Sequence, residues 1–283
     1  MKSESILISG GLGFIGLNLV HRLKKDNEIT VIDNLSTSTY QEIEGVEVII
    51  GNTSEVLATL KPNKYDKFFH FGEYSRVEQS LNDFEMCMTS NFGTLTAVLS
   101  FCKAGNIKLV YSGSSTKFTI GATGKDLSPY TWSKCVNTDL IERFANWYSL
   151  NYAICYFYNV YGSGEISSGE YSTVVGKFIN AYKKSESVQI TLPGTQRRNF
   201  THIEDTLDAL LLIGEKGFGD GYCIANETAY SILEVASILG LKYEFRKENR
   251  ANRLDASYDL KKMQDLGWCA NRSLSDYLKN HVL

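Results

Sequence analysis

The sequence predicts an α/β fold with a doubly wound parallel sheet and a smaller C-terminal α/β lobe. Through about the first 160 residues, short apolar runs alternate with segments of helical periodicity. Strands that alternate with helices at this spacing form a parallel sheet that is covered on both faces. A loop rich in glycine and serine at 162–170 separates this region from smaller elements. We therefore expect one domain at 1–160, with returns near 194–225, and a lobe over 161–283.

The individual elements are predicted from apolar runs and their spacing. Ser5–Ser9 is an apolar run that ends in glycines, and it is followed at 14–25 by Ile15, Leu19 and Leu23 at helical spacing. Glu28–Asp33 is the second strand, and Ser54 can cap a short helix at 55–60. The same signals predict strands at 46–50, 65–71, 107–112, 152–158 and 188–192, helices at 84–104, 128–149, 171–184 and 204–213, and a loop at 193–199.

The composition is that of an ordinary globular protein and excludes several classes of function. The 283 residues are 43% hydrophobic and 22% charged with a net charge of −3, which does not suit a nucleic-acid binder. The first residues run directly into an apolar strand, and no apolar run approaches the ~20 residues of a membrane span. Six cysteines are scattered without metal spacing. We expect a cytoplasmic protein with reduced thiols, no metal and no membrane or nucleic-acid partner.

A glycine-rich turn between the first strand and the first helix predicts a dinucleotide site. It reads Gly10-Gly11-Leu12-Gly13-Phe14-Ile15-Gly16. The glycines let backbone amides approach a pyrophosphate, and the helix N-terminus adds partial positive charge. Asp33 ends the second strand, where a carboxylate accepts hydrogen bonds from ribose hydroxyls and repels a 2′-phosphate. We expect a Rossmann-type domain that binds NAD rather than NADP; a turn that closes the sheet around no ligand is the alternative.

A Tyr-x-x-x-Lys unit, Tyr130 and Lys134, predicts acid–base chemistry beside that cofactor. Residues four apart share a helix face, so Lys134 and a positively charged nicotinamide would stabilise the Tyr130 phenolate. Tyr130 could then take a proton from a substrate hydroxyl, while Ser114 hydrogen-bonds the same oxygen. The alternative is a half-buried tyrosine beside a solvated lysine. We favour that alternative at two other pairs, which do not follow a sheet strand at the cofactor edge: Tyr243/Lys247 and Tyr258/Lys262.

Several segments, in order, resemble the extended short-chain dehydrogenase/reductases that act on nucleotide sugars. The likeness lies at 9–16, 31–36, 128–134, 157–162 and 194–205, at His70-Phe71-Gly72 and at Leu266-Gly267-Trp268. The resemblance implies NAD contacts from Gly10, Gly13, Phe14, Ile15, Gly16, Asp33, Asn34, Phe71, Gly72, Ser112, Tyr130, Lys134 and Phe157. It implies substrate contacts from Ser114, Thr116, Asn159, Arg198 and Arg250, and Arg246 and Arg253 compete with Arg250 for a phosphate.

The resemblance also favours one reaction. Dehydratases and decarboxylases of this family carry acidic residues directly after the catalytic Ser or Thr, whereas Ser115 and Thr116 follow Ser114 here, as in the galactose-type 4-epimerases. We therefore expect an NAD-dependent nucleotide-sugar 4-epimerase, with a UDP-sugar favoured and a role in polysaccharide biosynthesis. The alternatives are a 4-dehydrogenase, 4-ketoreductase or dehydratase of the family and, more remotely, a non-catalytic NAD-binding sensor.

The chain departs from the family pattern at a few places, and the family also suggests an oligomer. Lys117-Phe118-Thr119 stands where Val-Tyr-Gly is usual, Asn52 replaces an aspartate, and Tyr156 occupies a place that is often arginine. Relatives commonly form dimers through the helices expected at 84–104 and 128–149, so the resemblance implies a homodimer. Apolar contacts could come from Val98, Phe101, Ile141, Phe144 and Trp147, although packing within one subunit would also explain them.

Overall fold

The computed structural model describes residues 3–38, 41–118, 127–169, 171–247 and 257–281. Its strands are β1 (Ser5–Ser9), β2 (Glu28–Asp33), β3 (Glu47–Ile50), β4 (Lys67–His70), β5 (Lys108–Ser114), β6 (Tyr152–Phe157), β7 (Val160–Tyr161), β8 (Val188–Thr191), β9 (Arg197–Asn199), β10 (Thr201–His202), β11 (Gly219–Ile224), β12 (Ala229–Ser231) and β13 (Tyr243–Arg246). Seven of these form one sheet in the order β11-β6-β5-β4-β1-β2-β3, and each neighbouring pair is parallel. The predicted Rossmann-type α/β fold is confirmed.

The helices lie on both faces of this sheet and in the smaller lobe. They are α1 (Phe14–Leu23), α2 (Thr53–Leu57), α3 (Phe84–Met88), α4 (Thr94–Gly105), α5 (Pro129–Tyr148), α6 (Val174–Lys184), α7 (Ile203–Lys216), α8 (Ile232–Ile238), α9 (Lys261–Asp265) and α10 (Leu274–Lys279). Across the part of the chain that the structure describes, no helix has the length and apolar character to cross a membrane.

Alternation along the strands divides the core between the two faces of the sheet. Ile6 and Ile8 of β1 pack on the face that α1 and α7 cover, whereas Leu7 between them packs on the face that α4 and α5 cover. Successive side chains of a strand point to opposite faces, so a strand covered on both sides is apolar throughout. This is why apolar residues are consecutive, rather than alternating, at Ile6–Ile8 of β1 and at Phe68 and Phe69 of β4.

The smaller lobe has a core of its own. Strands β8 and β13 pair in parallel, and helices α6, α8 and α10 supply buried residues to the same cluster, among them Phe178, Val235 and Leu274. Strand β9 pairs with β12, although the sequence predicts a loop at 193–199. A three-residue strand is too short to show a hydrophobic period, so this pairing has no signal in the sequence.

The long helix expected at 84–104 is interrupted. A π-helical turn at Thr89–Gly93 separates α3 from α4. Side chains from α5 hold this turn: Asn137 Nδ2 donates to the Asn91 carbonyl at 2.9 Å, and Asn91 Nδ2 donates to Ser133 Oγ at 3.0 Å. The extra residue in the turn therefore places Asn91 against the helix that carries Tyr130.

The structure also corrects the expected dimer contacts. Val98, Phe101 and Ile141 belong to the core beneath α4 and α5, so they are wrong as interface residues. Phe144 packs partly against the same core, and Trp147 is exposed. Helical spacing does not distinguish a face that packs on the sheet from one that packs on a second subunit.

Candidate active site

At two positions in the turn after β1, no residue other than glycine fits. Gly10 has a φ of +68°, and a Cβ there would lie 2.8 Å from the Gly72 nitrogen. A Cβ on Gly16 would lie 2.1 Å from the Gly10 carbonyl oxygen. Both contacts are closer than real Cβ atoms allow, so the turn can close against α1 only without side chains. This leaves a cradle of bare backbone at the start of a helix, the arrangement that suits a pyrophosphate.

The start of α1 and the end of β2 complete this part of the site. No side chain caps α1 at Gly13, so the first amides of the helix are left for an anion. Asp33 is buried, and its carboxylate accepts hydrogen bonds from the Leu12 and Leu35 amides at 3.0 and 2.9 Å. Each carboxylate oxygen keeps a further lone pair, so Asp33 is held in place and can still accept a ribose hydroxyl. The chain therefore fits NAD.

One cavity of about 1350 Å³ runs along the carboxyl ends of β1, β2, β4, β5 and β6 and continues into the smaller lobe. Every residue that the resemblance assigns to NAD lines it, as do Asn159 and Arg198. Of the competing late arginines, Arg246 lines the cavity, while Arg250 and Arg253 lie outside the described residues. Other residues on its wall are Asn52, Glu73, Tyr74, Arg76, Glu78, Tyr171 and Lys177.

Tyr130 and Lys134 enter this cavity from the first turns of α5. Ser128 caps the helix by accepting from the Thr131 amide at 3.2 Å, and Pro129 occupies its first position. Lys134 Nζ donates to the Ser112 carbonyl at 2.8 Å, which fixes it to the end of β5. The competing tyrosines, Tyr243 and Tyr258, do not line the cavity, and both are exposed.

Two of the expected substrate contacts are turned away from the cavity. Ser114 and Thr116 are buried, and their hydroxyls hydrogen-bond each other at 2.8 Å. Neither lines the cavity wall. The structure thus brings Ser112, Tyr130 and Lys134 together but leaves Ser114 paired within its own turn.

Glu73 is a buried carboxylate that the sequence analysis missed. Its Oε2 lies 2.6 Å from Lys134 Nζ and accepts from the Tyr111 hydroxyl at 2.8 Å, while Asn137 Nδ2 donates to Oε1 at 3.3 Å. His70 Nε2 also lies 3.3 Å from Oε1, without the geometry of a hydrogen bond. The sequence feature that could have identified Glu73 is its position three residues beyond the end of the buried strand β4.

The charge on Glu73 follows from its neighbours. Burial by itself would raise the pKa of Glu73, but the Lys134 ammonium and His70 outweigh it, so its pKa lies below the ordinary value. Burial and the Glu73 charge raise the pKa of Tyr111 well above its ordinary value. Glu73 is therefore ionised, Tyr111 is its neutral donor, and Lys134 sits in a buried ion pair.

Arg76 is a second residue that the sequence analysis missed. Its Nη2 donates to the Tyr171 carbonyl at 2.6 Å, and its guanidinium carbon lies 5.5 Å from the centre of the Tyr171 ring. Its Nε is buried and has no hydrogen-bond partner among the residues that the structure describes. Tyr171, which holds Arg76, lies 95 positions later in the chain. No local sequence pattern predicts this contact.

Comparison with known proteins decides the family. The profile of the NAD dependent epimerase/dehydratase family matches residues 6–225, from β1 to the end of β11. The chain belongs to this NAD-dependent epimerase/dehydratase family. The resemblance inferred from the sequence is thereby confirmed, as are an enzyme of this family and NAD as its cofactor.

Relatives within the epimerase/dehydratase family catalyse different reactions. The chain is 25% identical over 258 residues to a UDP-N-acetyl-alpha-D-glucosaminuronate decarboxylase of Bacillus cytotoxicus, covering 81% of this chain and 77% of that one. It is 25% identical over 302 residues to a dTDP-D-glucose 4,6-dehydratase of Mus musculus, covering 94% and 84%. A UDP-glucose 4-epimerase structure from Thermotoga maritima shares its fold, with a TM-score of 0.89, 22% identity and coverage of 98% and 97%.

Proposed function

We propose that this family member is a nucleotide-sugar 4-epimerase that acts through a transient 4-keto sugar, with a UDP-sugar as the favoured substrate. The observation that carries the proposal is that one cavity joins the glycine turn, the Tyr130–Lys134 pair, Asn159 and Arg198. Its volume of about 1350 Å³ exceeds the roughly 300–1,000 Å³ of a site for one small ligand. It therefore has room for a dinucleotide and a nucleotide sugar together.

Each group of site residues would have its own role in the reaction. The Gly10–Gly16 turn and Asp33 would hold NAD, which supplies a reversible hydride acceptor. Tyr130 would remove the proton from the sugar 4-hydroxyl and later return it to the same oxygen. Arg198 and Asn159 would hold the diphosphate, since a guanidinium binds phosphate oxygens in two-point fashion. Ser114 and Thr116 would contact the sugar after their hydroxyls, which bond each other, rotate towards the cavity.

The residues directly after Ser114 favour epimerisation over loss of water. Ser115 and Thr116 follow Ser114, so this segment supplies no carboxyl group. Glu73 lines the cavity but does not replace it. Glu73 is ionised and already accepts from Tyr111 and pairs with Lys134, so it has no proton to donate to a leaving hydroxyl.

A substrate panel tests the proposal. The purified protein is incubated with NAD and with UDP-, GDP-, CDP- and dTDP-sugars, and the products are analysed together with the absorbance of reduced nicotinamide. A sugar inverted at C4 without net reduced cofactor supports the 4-epimerase. Reduced cofactor formed in proportion to a keto product would show a 4-dehydrogenase instead, and a 6-deoxy-4-keto product would show a dehydratase.

We also propose a homodimer, and its supporting feature is an apolar surface. Phe84, Met86 and Phe92 are exposed on α3 and the π turn, and Trp132 is exposed on α5. The Phe92 and Trp132 rings lie 6.1 Å apart, so they form one patch that a second subunit would cover. Light scattering tests this: Trp132→Glu should yield monomers, while Phe218→Glu, at an exposed ring just before β11, should not.

The remaining expectations belong to the same proposal. We propose a division into an NAD-binding domain at 1–160, to which β11 returns, and a substrate-binding lobe at 161–283. A cytoplasmic location is supported by the cysteines, all six of which are free and five of which are buried, since free thiols are typical of reducing compartments. A role in polysaccharide biosynthesis completes the proposal.

A further inference from the structure

The guanidinium of Arg76 is fixed against the cavity, and its buried Nε donor is unused among the described residues. Nη2 is bound to the Tyr171 carbonyl, and the Tyr171 ring lies beneath the group. Nε is shielded from solvent and donates to nothing among the described residues. An arginine side chain does not lose its proton in a protein, so this is a permanent charge with an unused N–H on the wall of the site.

Arg76 differs from two other buried or partly buried cations of this region in lacking a counter-ion. Lys134 Nζ lies 2.6 Å from Glu73, and Lys117 Nζ lies 3.2 Å from Asp220. In the described parts of the chain, no carboxylate comes within 4.0 Å of Arg76. Desolvating a charge without a partner is costly, so the site is incomplete until an anion occupies it.

The position of Arg76 relative to Tyr130 indicates where on the sugar that anion would lie. Arg76 and Tyr130 both line the same cavity. The segment that follows Arg76 packs on the start of α5, with Ser80 Oγ 3.3 Å from the Tyr130 nitrogen. If Tyr130 acts on the 4-hydroxyl, the part of the sugar nearest Arg76 is C4 and its ring neighbours. C6 is bonded to one of these neighbours, C5, and oxidation of C6 gives a carboxylate.

We propose that Arg76 binds a carboxylate on the sugar, so that the substrate class is a nucleotide-activated uronic acid. This assignment rests on the proposed 4-epimerase function and specifies its substrate. A carboxylate matches the planar fork of a guanidinium and neutralises its charge. A neutral hydroxymethyl group would satisfy the Nε hydrogen but leave the charge unpaired.

Equilibrium binding to the NAD-loaded protein tests the assignment. The probes are UDP, UDP-glucose and UDP-glucuronate, and binding is measured by calorimetry for the unaltered protein, Arg76→Met and Arg76→Lys. UDP-glucuronate should bind roughly 10- to 100-fold more tightly than UDP-glucose, the range expected for a hydrogen-bonded charge pair. Arg76→Met should remove this preference while UDP affinity is unchanged, and Arg76→Lys should retain part of it. The control is Arg143→Met, because Arg143 is exposed on α5.

The outcomes separate this assignment from the proposed function. If UDP and UDP-glucose bind but UDP-glucuronate shows no advantage, the carboxylate assignment is overturned and the 4-epimerase proposal stands. Equal losses for both sugars in Arg76→Met would also overturn it, because Arg76 would then serve Tyr130 or the nucleotide. If UDP itself does not bind the unaltered protein, the proposed UDP-sugar function fails, and the assignment fails with it.

Discussion

At the scale of single residues, Glu73 determines the electrostatic environment of Lys134. Lys134 is held by the Ser112 carbonyl and by Glu73 in a buried pair, so its position is fixed before any cofactor binds. Removing one member of a buried pair leaves the other charge without compensation. Glu73 therefore contributes to stability as well as to the site.

The first prediction concerns that pair. Glu73→Gln should lower the free energy of unfolding by about 3–5 kcal/mol, because Lys134 is left buried without a counter-ion. Urea denaturation measures the change. Glu78→Gln is the control, since Glu78 pairs with Arg246 at 3.5 Å on the exposed rim and such pairs contribute only about 0–1 kcal/mol. Equal effects of the two substitutions would contradict the buried pair.

The second prediction concerns how the contribution of Glu73 to the free energy of unfolding depends on pH. The pKa of Glu73 is lowered on folding from an ordinary value of 4.5, so the stabilisation is present above that value. It is lost as the pH falls through the lower pKa of the folded state. The difference in unfolding free energy between the unaltered protein and Glu73→Gln should be constant at neutral pH and shrink in acid. A difference that grows in acid would mean that Glu73 is protonated in the fold.

The third prediction distinguishes Tyr130 from its equivalents in sequence spacing. Tyr130→Phe should reduce kcat by about 10²- to 10⁴-fold, the contribution of a positioned acid–base group, and leave NAD affinity unchanged. Tyr243→Phe and Tyr258→Phe are matched controls, because each also stands four residues before a lysine. Activity that survives in Tyr130→Phe would remove Tyr130 from its proposed role.

The residues that sequence reasoning identified and those it missed differ in how they are held. Local sequence patterns predict the glycine turn, Asp33 and the Tyr130–Lys134 pair. Glu73 and Arg76 depend on partners from distant segments, such as Lys134 and Tyr171, and a single sequence does not show those contacts. In the sequence, Lys117 and Tyr156 are two separate departures from the family pattern. In the structure, Lys117 Nζ donates a hydrogen bond to the Tyr156 hydroxyl at 3.2 Å, and both side chains donate to the Asp220 carboxylate.

At the scale of elements, the π turn between α3 and α4 couples two parts of the site. Asn91 is fully buried, and its side chain donates to Ser133 on α5 and to the Tyr74 carbonyl on the cavity wall. The period of the flanking helices is that of one helix, so the sequence predicts a continuous element there. Hydrogen bonds to α5, rather than local preference, hold the interruption.

The fourth prediction tests that coupling. Asn91→Ala should lower the free energy of unfolding by about 1–3 kcal/mol, because buried partners lose their hydrogen bonds. Thermal and urea unfolding measure it. Asn146→Ala on the exposed side of α5 should be neutral or slightly stabilising, since alanine favours a helix. A neutral effect of Asn91→Ala would mean that the π turn is held in some other way.

The fifth prediction concerns the turn after β1. Gly16→Ala places a Cβ 2.1 Å from the Gly10 carbonyl oxygen, so the turn must open and NAD affinity should fall at least about tenfold. Gly93→Ala is the matched control, because a Cβ there would meet no atom of the described residues within 4 Å. Binding of NAD is measured by calorimetry, with circular dichroism to confirm the fold of both variants. Unchanged affinity in Gly16→Ala would contradict the proposed pyrophosphate cradle.

At the scale of the whole molecule, the site is made by the sheet edge and the smaller lobe together. The carboxyl ends of five parallel strands supply the cofactor side, and Phe178, Ile190, Phe200 and Ile232, which also belong to the core of the lobe, line the other side. The order of strands and helices in the first part follows from apolar periodicity. Of the short strands of the lobe, β8 also follows from an apolar run, whereas β9, β10, β12 and β13 do not, because each is fixed by pairing with a segment far along the chain.

The central claim is that the sugar is oxidised and reduced again at the same carbon within one site. A UDP-sugar that carries deuterium at C4 is incubated with the NAD-loaded protein in ordinary water, and both epimers are recovered for mass spectrometry and NMR. We predict inversion at C4 with the deuterium retained on that carbon in both epimers. Exchange of the C4 label with solvent hydrogen, or inversion of a different carbon, would contradict the account.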